Sequence, residues 1–439
     1  MSNEELKNAI EKFNKRELEL IFAPKLTENG DLSFNTTGNR LIDLLFMSEY
    51  YTNHTSDAVI GNSDIEKIFS MFIRDPRFGL GRRDFGRHLM QMSGCTPEMI
   101  TLAGRFDDLY LTPRLDDKNI GYLFDQCFKG NQLAKKWMPR YSSKHLLIAR
   151  KFAKMLGMNK QQYGKFIKAE TVENTMSRQD FENIVFEHVP SLASIKYAKA
   201  FARQQPERYA QYLEDVRSGK KKLNVSTTNV YDIYRNRESI DADLFYSKLE
   251  KISINCVPVI DVSGSMFDNN DSIGKALSIG KYLSDCSSYM KGYFVTFSGN
   301  PQLVEQTGAT YIDNIENIER ADWGYNTDFA KVIRLFSELK EDFPEYIVVL
   351  SDMEFDRGSC FEKEKLMNDW KRLGINTKII WWNFNSRSKT CPEMDDWGNI
   401  FMSGYSPVLL KFLCEGFDAK QFLAKLLEEY AKSLLNSLE

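Results

Sequence analysis

Residues 257–270 read VPVIDVSGSMFDNN. An apolar run ends in Asp261, and Ser263 and Ser265 follow at every second position. The run itself, ISINCVPVI (252–260), is short and rich in β-branched residues, and others like it follow: GYFVTFS (292–298), EYIVVLS (345–351), NTKIIWWNF (376–384) and NIFMSG (399–404). Helical periodicity fills the intervals or follows them, over 272–290, 327–340, 361–373 and 406–414. Strands that alternate with helices, and that are apolar on both faces, predict a mostly parallel sheet covered by helices on both sides. Ligands of such sheets sit beyond the carboxyl ends of the strands. Asp261 closes the most apolar strand, so its carboxylate is expected in that crevice.

The sequence upstream has a different character. SDIEKIFSMFIR (63–74), DFGRHLMQM (84–92), NIGYLFDQCF (119–128), SKHLLIARKFAKMLG (143–157) and PERYAQYLEDVRSG (206–219) place apolar residues at three- and four-residue spacing, as helices do. Ser63 and Thr96-Pro97 are start signals, and Gly157 and Gly219 are stop signals. Period-two strands are not evident. Stacked helices would make this half an all-α, repeat-like domain, although no sequence period repeats. SGKKKLNVSTTN (218–229) and the polar stretch to about 245 read as a linker. The expected architecture is a helical domain over 1–245 and a doubly wound α/β domain over 246–439 that ends in an amphipathic helix.

Bulk properties bound the function. With 439 residues, 42% hydrophobic and 27% charged, the chain has the composition of a soluble globular protein of two or three domains. No apolar run approaches a membrane span, and the charged amphipathic N-terminus is no secretory signal. Seven scattered cysteines without a Cys-x-x-Cys pair argue against a disulfide framework or a zinc knuckle and for a reducing, cytoplasmic setting. Four histidines, none at ligand spacing, argue against zinc chemistry. Residues 1–250 carry 38 Lys and Arg against 33 Asp and Glu, whereas 251–439 carry 20 against 28, so the halves suit different partners.

A carboxylate with two hydroxyls offers hard oxygen donors, and Mg²⁺ takes about six such ligands, some of them water. Two later loops add candidates: WGYNTDF (323–329) with Thr327 and Asp328, and VVLSDMEFD (348–356) with Asp352. Asp-x-Ser-x-Ser, then a threonine, then a strand-terminal aspartate resembles the metal-ion-dependent adhesion site of von Willebrand factor A domains. Residues 251–415 are similar to that Rossmann-like family in motif order and in alternation. The resemblance implies a first metal loop of Asp261, Ser263 and Ser265, a second at Thr327 and a third at Asp352. These would hold Mg²⁺ or another divalent cation such as Mn²⁺ or Ca²⁺. Met353 stands where that family usually has glycine. By residue type alone the first loop also suits a turn with a helix N-cap, and Asp328, Glu354 and Asp356 suit capping or solvated roles.

The phrases DPRFGLGRRDFGRHLM, GRFDDLYLT, KKWMPRYSSKHLLIARKFAKMLGMNKQQYGKFI and VPSLASIKYAKAFARQQPERYAQYLEDVRSGKKKLN, with SDMEFD and MSGYSPVLLKFL later, resemble the domain of unknown function 2828 family. There a helical region precedes a von Willebrand A module. Phe106 stands in place of the usual tryptophan of the WDDL phrase. More distantly, the architecture resembles the Ro autoantigen family with its TROVE module, which implies a helical scaffold that binds RNA.

Residues 131–169 hold ten cations and no acid: Lys135, Lys136, Arg140, Lys144, Arg150, Lys151, Lys154, Lys160, Lys165 and Lys168. Such a run suits a phosphate backbone, with Trp137, Tyr141 and Tyr163 as candidate stacking faces. It also suits docking onto an acidic protein surface, or plain solvation. Gly79-Leu80-Gly81-Arg82-Arg83 lacks the phosphate-loop pattern and reads as a turn between helices. GRFDDL (104–109) reads as a packing corner with Arg105 paired to Asp107 or Asp108. The leading expectation is a non-enzymatic RNA-binding scaffold with a divalent-metal adhesion site. One alternative is an adhesion module that captures an acidic partner residue. The other is a metal-dependent phosphodiesterase, disfavoured because the motif loops hold no histidine or lysine as acid or base.

Overall fold

The computed structural model describes residues 25–26, 32–33, 40–46, 48, 51, 55–112, 115–225, 227–267, 271–297, 300–320, 329–339, 343–352, 368–384, 400–403 and 419–436. The chain divides into two units: 1–16, 59–224 and 427–439 in the first, and 17–58 with 225–426 in the second. This division falls before residue 245 and moves 17–58 and the last residues across the expected boundary.

The first unit is helical in its described residues. Helix α1 (Asp64–Arg74) starts at Ser63, whose side chain and Glu66 form a reciprocal capping box. Pro97–Ala103 starts at Thr96, with Pro97 in the first turn. Gly157 and Gly219 adopt φ of 65° and 75° just past helix ends, as the stop signals require. Helix α2 (Arg83–Met92) packs on α1 through Gly86, where a Cβ would lie 2.6 Å from the Arg74 Cα. Glycine at that position lets the two backbones touch. Gly79 to Arg82 lie in the turn between these helices, as expected, and Arg83 opens α2. Tyr430, from the C-terminal helix Ala419–Asn436, is buried here against Phe72 and donates its hydroxyl to Asp75.

The second unit is built on a six-stranded sheet: β1 (Cys256–Asp261), β2 (Tyr293–Phe297), β3 (Leu303–Glu305), β4 (Tyr346–Ser351), β5 (Lys378–Asn383) and β6 (Ile400–Ser403). The order is β3-β2-β1-β4-β5-β6, with β3 antiparallel to β2 and every other pairing parallel. All of β1 and β4 is buried, as runs apolar on both faces demand. On one face Val257, Val259, Ile347 and Val349 pack with Val332, Ile333 and Phe336 of helix Phe329–Leu339 and with Trp370. On the other, Ile260 and Leu350 meet Gly280 of helix α3 (Ser272–Cys286). The expected doubly wound arrangement is therefore the one observed. Helix Arg40–Phe46 packs beside β6, the sheet edge.

Three features depart from expectation. The strand β3 is short and only half-buried, so it carries little apolar signal. Lys25–Leu26 and Leu32–Ser33 form a two-residue antiparallel ladder in the half read as free of strands. The polar stretch read as linker holds helices Val230–Asn236 and Ala242–Ser247. They bury Val230, Ile233, Leu244 and Phe245, and the first lies on α3 with Tyr234 against Gly274. This added layer is why α3 is buried on every side, Lys275 and Lys281 included. The helix expected over 406–414 lies outside the described residues.

Candidate functional site

The sheet order reverses between β1 and β4: β2 follows β1 on one side and β4 lies on the other. In doubly wound folds the crevice at that switch point, at the carboxyl ends of the strands, is where ligands bind. Asp261 is the last residue of β1, and Asp352 follows the last residue of β4. The two predicted aspartates are thus brought to the switch point from positions 91 apart in sequence.

Both are buried: Asp261 is 0% and Asp352 4% exposed. One Asp261 carboxylate oxygen, Oδ1, accepts from the Ser263 backbone N–H at 2.9 Å. The other, Oδ2, accepts from the Ser351 hydroxyl at 2.5 Å. Ser263 Oγ and Ser265 Oγ lie 3.1 Å apart within a tight turn over Gly264–Met266, anchored by the buried Met266. Burial raises the Asp261 pKa from 3.8 to about 6; bonds from Ser351 and Ser263 oppose the rise, and the charge of Asp352 adds to it. Thr327, Asp328, Met353, Glu354 and Asp356 lie outside the described residues. Ser351 was missed by sequence reading. It looks like any strand-end serine, and only pairing of β1 with β4 reveals its bond to Asp261.

Among the described residues the side chains that converge here offer oxygen donors, and no group of three or more His, Cys, Asp or Glu gathers. Two buried carboxylates that repel one another, with hydroxyls beside them, fit a hard divalent cation: it relieves the repulsion, and oxygen is its preferred ligand.

The cationic run spreads over the surface of the first unit. Helix Leu146–Met155 is shorter than the expected 143–157 and buries Ala149, Phe152 and Ala153. Its opposite face carries Leu147, Arg150, Lys151, Lys154 and Met155, all exposed. Arg140, Lys144, Lys160, Lys165 and Lys168 are exposed too, and Lys135 and Lys136 are half-buried. Lys136 pairs with Glu173 at 3.4 Å, and Lys160 lies over the Tyr141 ring. Tyr163 does not offer a stacking face: it is fully buried, with its hydroxyl bonded to the Pro139 carbonyl at 2.9 Å. Trp137 already carries the Arg105 guanidinium on its ring, 4.0 Å from the centroid.

The corner over 104–109 explains the FDDL phrase. Asp107 pairs with Arg105 at 2.7 Å, and Asp108 takes Arg74 at 2.7 Å and Arg87 at 2.8 Å. Asp108 also accepts the Arg105 backbone N–H at 2.9 Å. Gly104 leaves room for it, since a Cβ there would strike the Asp108 carboxylate.

Comparison with known families divides the chain in a similar way. Residues 163–243 match the family model of DUF2828, a domain of unknown function. Residues 255–433 match a second domain of unknown function, DUF7788. The resemblance to DUF2828 is therefore found, over the end of the helical half, and the sheet-bearing half has a family model of its own. An uncharacterized protein of Acanthamoeba polyphaga mimivirus is 25% identical over 502 aligned residues, spanning 92% of this chain and 87% of the viral one. Among solved structures, the Deinococcus radiodurans Ro (RSR) protein is similar over 98% of this chain and 99% of its own, at 12% identity and a TM-score of 0.40. A mussel byssus proximal thread matrix protein 1 with a zinc-occupied MIDAS motif is similar over 41% of this chain and 48% of its own, at 15% identity and a TM-score of 0.24. No helix of the described residues is long and apolar enough to cross a membrane.

Proposed function

We propose that the chain is a binding protein whose cationic helical face holds RNA and whose switch-point site holds a divalent cation for adhesion to a partner. The observation that carries the RNA reading is the state of the cations. Arg140, Lys144, Arg150, Lys151, Lys154, Lys165 and Lys168 are exposed, and none forms an ion pair among the described residues. A solvated face of this density repels itself, and phosphates relieve that repulsion while releasing counter-ions. Leu147 and Met155, exposed at the two ends of the cationic stripe, add apolar contacts for unpaired bases.

At the switch point Asp261, Ser263, Ser265, Thr327 and Asp352 would hold Mg²⁺, or Mn²⁺ or Ca²⁺ in its place. The bound ion supplies an electrophilic centre that takes an oxygen ligand from outside. Phe267, 58% exposed two residues beyond Ser265, favours a protein carboxylate as that ligand, because it offers an apolar contact beside the ion. The site binds rather than turns over: its described side chains hold no histidine or lysine positioned to move a proton.

The test is fluorescence anisotropy with a structured RNA bearing a single-stranded tail, in Mg²⁺ and over several salt concentrations. Wild type should bind with a steep salt dependence, and a variant with Lys144, Arg150, Lys151 and Lys154 changed to Gln should lose most of that affinity. No binding of wild type at low salt would sink the RNA reading and leave metal-bridged protein adhesion. Metal-dependent RNA hydrolysis that vanishes in Asp261→Ala would overturn the non-enzymatic one.

A further inference from the structure

We propose that Arg83 and Arg105 form a phosphate subsite at the 104–108 corner, beside Lys136 of the cationic run; the RNA reading above supplies the ligand's identity, and the corner supplies the chemistry.

Arg83 and Arg87 stand one turn apart on α2 and so share a face. From that face Arg87 reaches Asp84 at 2.9 Å and Asp108 at 2.8 Å, which sets the side of the helix that looks onto the corner. The acids there are already engaged. Asp108 serves Arg74, Arg87 and the Arg105 backbone; Asp107 serves Arg105 through Nε at 3.0 Å and Nη2 at 2.7 Å. Arg83 is exposed and makes no hydrogen bond or ion pair with any described residue. Four guanidiniums, of Arg74, Arg83, Arg87 and Arg105, therefore meet three carboxylates, and Arg83 is the one that forms no ion pair. Partial burial, and then the charges of Arg105 and Arg74, lower the Arg83 pKa, against the opposing pull of Asp107 and Asp84.

Arg105 is held rigidly. Asp107 grips two of its nitrogens and Trp137 supports the guanidinium plane, so Nη1 is left over at a fixed orientation. A preoriented guanidinium beside an unpaired one is the arrangement that takes phosphate oxygens through charge-assisted bonds. The corner is also joined to the cationic run: Lys136 Nζ lies 5.8 Å from the centroid of the same Trp137 ring that carries Arg105. An anion at the corner thus adjoins Lys136, in the first part of the cationic run.

Two readouts on the full chain test this. Inorganic pyrophosphate, as the probe in thermal unfolding, should raise the Tm of wild type and leave that of Arg83→Gln unmoved; a shift absent from wild type, or equal in both, overturns the subsite. In RNA anisotropy, Arg83→Gln should weaken binding several-fold and reduce the log–log salt slope by about 1. If the Lys144, Arg150, Lys151 and Lys154 variant loses RNA while Arg83→Gln keeps both affinity and slope, the subsite is not on the RNA path and the proposal fails with the RNA reading intact. If wild type ignores RNA but shows the Arg83-dependent pyrophosphate shift, the subsite stands and the RNA reading falls.

Discussion

Replacing Asp261 by Asn isolates the electrostatic cost of the switch-point site. The carboxylate is fully buried, and its pKa is raised from 3.8 to about 6 by that burial. At 1.36 kcal/mol per unit, keeping the group ionised in the metal-free fold costs about 3 kcal/mol. The sign follows from linkage: a folded pKa above the unfolded value gives stability that is complete below about pH 4 and lost as pH rises through 6. Asn keeps the side-chain shape, accepts from the Ser263 N–H as Asp does, and removes the charge. Measured in urea with EDTA, Asp261→Asn should match wild type near pH 4 and exceed it by roughly 2 to 3 kcal/mol at pH 8. Taking the difference between the two proteins cancels every other titration. Tryptophan fluorescence is a suitable probe, because five of the six tryptophans lie beyond residue 320 and so report on the sheet-bearing unit. Saturating Mg²⁺ should reverse the order by stabilising wild type alone. A stability difference that does not change with pH would refute the burial argument; an equal Mg²⁺ effect on both proteins would refute Asp261 as a ligand.

The same proton competes with the ion, so Mg²⁺ affinity measured by calorimetry should hold above pH 7 and fall about tenfold per unit below 6; affinity unchanged down to pH 5 would place the ion elsewhere. Asp108→Ala should cost about 3–5 kcal/mol in urea unfolding, because Arg74, 2% exposed, is left as a buried charge without its carboxylate. A cost under 1 kcal/mol would mean that the arginine is hydrated instead. Gly86→Ala places a Cβ 2.6 Å from the Arg74 Cα and should destabilise by about 1–3 kcal/mol, whereas Gly164→Ala, with open space around it, should not; equal effects would refute the close crossing of α1 and α2.

What the sequence determined by itself is what depends on neighbours in the chain. Ser63 with Glu66, Thr96 with Pro97, and the glycines at 157 and 219 mark helix ends through bonds and dihedral angles that span a few residues, and each sits where it was read. The short apolar runs became β1, β2, β4, β5 and β6; in β1 and β4, burial on both faces leaves a mark on every residue of the strand. Asp261 was legible for the same reason, as the polar residue that ends such a run. Tertiary structure decided what depends on partners far along the chain. The bond from Ser351 to Asp261 spans 90 residues and exists only because β1 lies beside β4. Whether Arg105 takes Asp107 or Asp108 turned on Arg74 and Arg87, brought in by the close crossing at Gly86. Tyr163 reads like any tyrosine of a basic run, yet folding buries it. Helices 230–236 and 242–247 looked like linker because each is too short to show a clear period, and their order comes from docking on α3. Local bonds fix where elements start and stop; which side chains meet at the site is fixed by the order in which the strands assemble.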